Sequence, residues 1–179
     1  LQMETTGKTQ SMVNFSNNST FTTIDVDVAG TLTVTNAADT ITTLRNTTTG
    51  GTAVFSRLVD GSSNALTIEA DDASSSASDG VTTFVAVTAN DEETISMVSG
   101  TNAAEDLTIT TLTSTDLTTL TLTGTADAKI TNAIANATKL ATVTTSGLTG
   151  AAEVHAGNST VDMTFTAGSF VTDLTTGNG

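Results

Sequence analysis

Leu117-Thr118-Thr119-Leu120-Thr121-Leu122-Thr123-Gly124 is followed, 23 residues on, by Leu140-Ala141-Thr142-Val143-Thr144-Thr145-Ser146-Gly147. Leu117 matches Leu140, Leu120 matches Val143, and Gly124 matches Gly147. The next apolar position recurs at an offset of 24, as Ile130 and Val154. A more divergent third unit runs Val161-Asp162-Met163-Thr164-Phe165-Thr166-Ala167-Gly168 and continues to Phe170 and Leu174. Within each unit apolar and polar residues alternate, which is the pattern of a half-buried strand. A period in the low twenties with two short strands per repeat suits one coil of a β-solenoid. Coils stacked about 4.8 Å apart would bury their aliphatics in a narrow core. Threonine, β-branched and polar, suits the outward positions, and glycine suits corners that need positive φ.

The same alternation extends toward the N-terminus. Ile24-Asp25-Val26-Asp27-Val28 sets three aliphatics on one face and two carboxylates on the other. Strands are predicted at Leu32–Val34, Leu66–Ile68, Val81–Val87 and Thr94–Val98. Val54 and Phe55, then Leu58 and Val59, read as a less regular strand pair ending at the Asp60-Gly61 turn. Residues 70–80 (ADDASSSASDG) read as a polar loop. Helical spacing is confined to Asp127–Leu140, where Ile130, Ile134 and Ala137 predict one short helical turn at most. The organisation expected is a β-rich region over 1–99, solenoid or β-sandwich, followed by solenoid repeats over 100–179.

Composition agrees with a thin core. Hydrophobic residues make up 37% of the 179, but aromatics only 3%. Threonine alone is about a quarter of the chain. Cys, Pro, Trp and Tyr are absent, which removes disulfide scaffolds and Cys-ligated metals. Five cations against 19 acids give a net charge of -14, so nucleic acid is not an expected partner. No apolar run approaches the roughly 18 residues of a membrane span. The chain starts at Leu1 and stops at Gly179, which reads as a segment of a longer protein with any secretion signal outside it.

Glu92-Glu93-Thr94-Ile95-Ser96-Met97-Val98, the run LTITTLTSTDLTTLTLTGTADAKIT (107–131) and the run LATVTTSGLTG (140–150) resemble a known family. They are similar to the Thr- and Ala-rich, calcium-dependent surface-layer proteins of bacteria such as Caulobacter and Campylobacter. These are secreted by type I systems and related to the RTX proteins. The resemblance covers roughly residues 90–179, and the first half by composition. It implies an all-β, right-handed parallel β-solenoid that assembles into a calcium-stabilised lattice outside the cell. Gly177-Asn178-Gly179 could open a nonapeptide calcium repeat, but no complete repeat is present.

Three acidic clusters are candidate calcium ligands: Asp71, Asp72 and Asp79; Asp91, Glu92 and Glu93; and Glu105, Asp106 and Asp116. Calcium takes six to eight oxygens, and acidic loops supply them; a solvated acidic loop is the alternative reading. Asp25 and Asp27 would be relieved by a cation or by Arg45 or Arg57. His155, next to inward Val154, should face outward, and no second histidine exists to build a zinc site. There is no G-x-S-x-G elbow, and Gly50-Gly51 lacks the Lys-Ser/Thr of a phosphate loop. A carboxylate pair could serve a glycosidase, yet the aromatic platforms of a glycan site are missing. No enzyme is expected. Asn-x-Ser/Thr sequons, as at Asn46 and Asn158, fit a secreted surface.

The leading expectation is a structural, self-associating S-layer protein on the bacterial surface, with calcium as cofactor. Its partners would be copies of itself, and cell-surface polysaccharide through regions outside this chain. An adhesin or stalk segment is the alternative. Thr-x-Thr tracts at 31/33/35, 108/110, 119/121/123, 142/144 and 164/166 raise a third reading, an ice-binding solenoid, although they recur irregularly along the chain.

Overall fold

In a computed structural model the chain winds as a right-handed parallel β-solenoid. The structure describes residues 2–3, 8–11, 22–26, 30–46, 49–70, 81–100 and 105–177. The first six strands are β1 (Gln2–Met3), β2 (Lys8–Ser11), β3 (Thr23–Val26), β4 (Thr31–Ala37), β5 (Thr43–Asn46) and β6 (Thr49–Arg57). Then come β7 (Ala65–Ala70), β8 (Thr82–Ala89), β9 (Thr94–Val98), β10 (Leu107–Thr113) and β11 (Thr119–Gly124). The last are β12 (Ala128–Ile130), β13 (Thr142–Leu148), β14 (Ala152–His155), β15 (Thr164–Thr166) and β16 (Val171–Thr175). Odd strands form one eight-stranded parallel sheet in chain order, and even strands form the other. Each coil therefore gives one strand to each sheet. A parallel pair needs a long crossover, and here the strand in the opposite sheet is that crossover.

Inward positions stack rung on rung. In the odd sheet Leu66, Ile95, Leu120, Val143 and Phe165 form one column. Ile24, Leu44, Ile68, Met97 and Leu122 form the next. Leu32, Ala53, Val87 and Leu112 face them from the even sheet. Fully buried Phe84 has Gly51 on one neighbouring rung, and fully buried Phe55 has Ala89. Asn46 also points inward, between Val26 and Ala70, and its Nδ2 donates to the Thr83 carbonyl across the core at 3.0 Å.

The repeat with its change of offset is a feature of register. Leu120 pairs with Val143 and Thr121 with Thr144, but Thr123 pairs with Gly147 and Gly124 with Leu148. One extra residue in β13 bulges at this point. That bulge converts the offset of 23 into the 24 seen at Ala128/Ala152 and Lys129/Glu153. Gly124 itself has φ +122, and a Cβ there would sit 2.2 Å from Ser99 Oγ. Both conformation and space demand glycine.

The structure decides two open readings and corrects a third. The sandwich alternative for 1–99 gives way to the solenoid, because β3 to β9 lie in the same two parallel sheets as the later strands. The helical turn in Asp127–Leu140 is replaced by β12 and turns. There Ala135 N–H donates to Leu112 O and Asn132 N–H to Thr110 O, so the amides satisfy the preceding coil. Ile130, Ile134, Ala137 and Leu140 are buried from a corner instead of along a helix face. Finally, Leu58 and Val59 are exposed outside any strand, because β6 ends at Arg57, whose side chain turns inward.

Leu120→Ala opens a void in a column that two neighbouring rungs cannot refill. Chemical denaturation should show a loss of about 2–5 kcal/mol, whereas outward Thr121→Ala should stay within about 0.5 kcal/mol.

Candidate functional site

Of the expected calcium ligands that the structure describes, three hold backbone amides at the coil corners. Asp71, Asp72 and Asp79 lie outside the described residues. Asp91 Oδ2 accepts the Arg57 backbone N–H at 2.8 Å, and Glu93 Oε2 accepts the Asn64 N–H at 2.7 Å. Glu105 is buried, and its backbone carbonyl accepts the Gly100 N–H. Asp106 Oδ1 accepts the Asp127 N–H at 3.0 Å. One coil further, Asp127 Oδ1 accepts the Ala151 N–H at 2.7 Å. Each of these two carboxylates thus ties its own coil to the next. Asp116 pairs with Lys139, and this ammonium is held above its usual range by that contact. Among the described residues, no three carboxylate or imidazole groups come together as metal ligands. The side-chain oxygens of Asp91, Glu93, Asp106 and Asp116 are thus turned to amides and a cation of the chain.

Glu92 has a different role. It is fully buried and takes a bidentate ion pair from Arg57, Nε to Oε1 at 2.6 Å and Nη2 to Oε2 at 3.0 Å. Arg57 Nη1 also donates to Ile41 O at 2.6 Å, Nη2 donates to Ala65 O at 2.9 Å, and the guanidinium lies 4.8 Å over the Phe55 ring. The side chain thereby joins the corners of three successive coils, around 38–41, 57–65 and 91–92. Burial pushes the Glu92 carboxyl above its ordinary value, and the hydrogen bonds and charge of Arg57 offset this only in part. Near the even sheet, Lys129 holds the Asp127 carboxyl below its usual range, and Asp127 raises the ammonium in turn.

The two outer faces differ in chemistry. The even sheet carries charge late in the stack: Lys129, Glu153 and Asp173 occupy one column. His155 faces outward as expected, its Nε2 3.0 Å from Glu153 Oε1 and its Nδ1 3.1 Å from Thr175 Oγ1. The odd sheet carries hydroxyls. Thr23, Thr43, Thr67, Ser96, Thr121, Thr144 and Thr166 form one unbroken column. Beside it, Thr94, Thr119, Thr142 and Thr164 form a second. Early in the stack a third column is charged, with Arg45 bonded to Glu69 at 2.7 Å and 3.7 Å from Asp25. Arg45 therefore relieves Asp25, while Arg57 is committed to Glu92; Asp27 lies outside the described residues.

The Thr-x-Thr tracts belong to opposite faces: 31/33/35 and 108/110 lie on the even sheet, and 119/121/123, 142/144 and 164/166 on the odd one. On the odd sheet the tracts at 119/121, 142/144 and 164/166 fall in register on three successive rungs. The signal in the sequence is the match between their offsets and the coil period.

The stack ends, among the described strands, at β15 and β16, each bonded on one side only. Met163, Phe165 and Leu174 are half-buried there, and Phe170 is 60% exposed. Comparison with protein-family models, with curated proteins and with solved structures finds no match.

Arg57→Met strands a buried Glu92 carboxylate and should cost about 3–5 kcal/mol in denaturant unfolding. Adding Glu92→Leu to that variant should recover part of the loss, because no charge is left unpaired.

Proposed function

We propose that this chain is a structural segment of a self-assembling bacterial cell-surface layer, and that its solenoid stacks serve as the building element. One observation carries the reading. The β15–β16 rung presents two open strand edges beside Met163, Phe165, Leu174 and exposed Phe170. Open parallel edges with apolar atoms between them demand a further rung of the same kind. A neighbouring copy would supply it in an assembly, as a following coil would in a longer chain. The resemblance of 90–179 to S-layer proteins supports the same reading and implies an extracellular location. Attachment to surface polysaccharide would then fall to regions outside this chain.

Charge sets the conditions of assembly. A net charge of -14 opposes close approach of copies. A divalent cation shared between copies, calcium by the family resemblance, is the expected counterweight. Its role is argued from net charge, since the described carboxylates build no cage for it.

Electron microscopy and sedimentation of the protein with calcium and with chelator test the reading. Ordered sheets or filaments in calcium that disperse in chelator are expected. A protein that stays monomeric in both conditions contradicts assembly and favours an isolated stalk or spacer.

A further inference from the structure

We infer that the outer face of the odd sheet binds ice, through the hydroxyl grid of its last four rungs. That grid is Thr94 and Ser96, Thr119 and Thr121, Thr142 and Thr144, and Thr164 and Thr166. Each rung carries a pair of hydroxyl side chains two residues apart, Thr and Ser on the first and Thr and Thr on the other three, and the register sets the pairs directly over one another. The grid therefore has two fixed repeats: about 4.8 Å from rung to rung and about 6.6 Å along a strand. A prism face of hexagonal ice likewise presents its oxygens in a two-dimensional repeat, with one spacing close to the rung spacing. A rigid array of this kind is complementary to a solid lattice of water, not to a single small molecule.

Two further observations select this face. The first is how the threonines of the chain divide. Corner threonines spend their hydroxyls on the preceding coil: Thr115 donates to Asn90 O, Thr118 to Glu93 O, Thr125 to Gly100 O and Thr160 to Thr138 O, at 2.9–3.0 Å. Among the described residues, no side-chain hydrogen bond engages the eight grid hydroxyls. They are half-buried or exposed and face outward, and seven of the eight are β-branched side chains with few rotamers to lose. The second is charge. In a chain of net charge -14, neither grid column contains an ionised residue. The flanking column, charged at Asp25, Arg45 and Glu69, becomes Val98, Thr123 and Gly147 beside the grid. A neutral partner rich in hydroxyl groups or water matches such a face, whereas an ion, a nucleic acid or a charged surface does not. Ice meets both the neutrality and the two-dimensional repeat.

Thermal hysteresis and ice recrystallisation of the full chain, measured by nanolitre osmometry and splat cooling, test this inference. The parent should slow recrystallisation and shape ice crystals. Thr121→Lys and Thr144→Lys, each checked by circular dichroism, should lose both effects. Thr33→Lys, outward on the even sheet between Thr9 and Val54, should keep them. Absence of both effects in the parent overturns the inference whatever the variants do. Activity that survives Thr121→Lys and Thr144→Lys in folded protein overturns the assignment to this face.

Discussion

Everything in this molecule depends on the register between one coil and the next. Parallel rungs lie about 4.8 Å apart, so each inward side chain meets its counterparts directly above and below. The two facing sheets enclose a core two side chains thick. It selects Leu, Ile, Val and Ala and admits a large ring only where a neighbouring rung recedes, as Gly51 does beside Phe84 and Ala89 beside Phe55. The low aromatic content of the chain is the compositional mark of that constraint.

Register also decides what the polar residues do. Outward residues at equal height become columns, and the same alternation that buries Leu120 turns Thr121 into one step of a hydroxyl ladder seven rungs long. At the corners, where strands cannot continue, the backbone groups of one coil find partners in the next. Threonine hydroxyls, Ser99 and the carboxylates of Asp106 and Asp127 complete those bonds. The Arg57–Glu92 pair is the strongest instance. A charged pair inside an aliphatic core is costly to bury. It persists here because every edge of the guanidinium meets an oxygen or a ring.

Much of the fold was legible because the solenoid repeats itself. Period-two alternation found the strands at 24, 32, 66 and 94, and the pair Leu117/Leu140 gave the coil length. What escaped was whatever lies between coils. Nothing local marks Glu92 as the partner of Arg57, since 35 residues separate them, and both look like surface charges in isolation. The Asp127–Leu140 spacing imitates a helix because a corner that buries Ile130, Ile134 and Ala137 from different directions leaves the same apolar intervals. Spacing along the chain groups the acidic residues, whereas the fold turns Asp91, Glu93 and Asp106 to backbone amides, and Glu92 and Asp116 to Arg57 and Lys139, at successive corners. The Thr-x-Thr tracts looked irregular because the sequence interleaves two opposite faces, and only the assignment of strands to sheets separates them.

The distance between two outward positions in one column tests this account most directly. The chain has no cysteine, so spin labels can be placed at Thr43→Cys and Thr166→Cys alone. The two positions stand five rungs apart in the hydroxyl column. Double electron–electron resonance should give a narrow distribution centred at about 24 Å. A broad distribution, or a centre far from that value, would contradict the continuous register on which the fold and both functional readings rest.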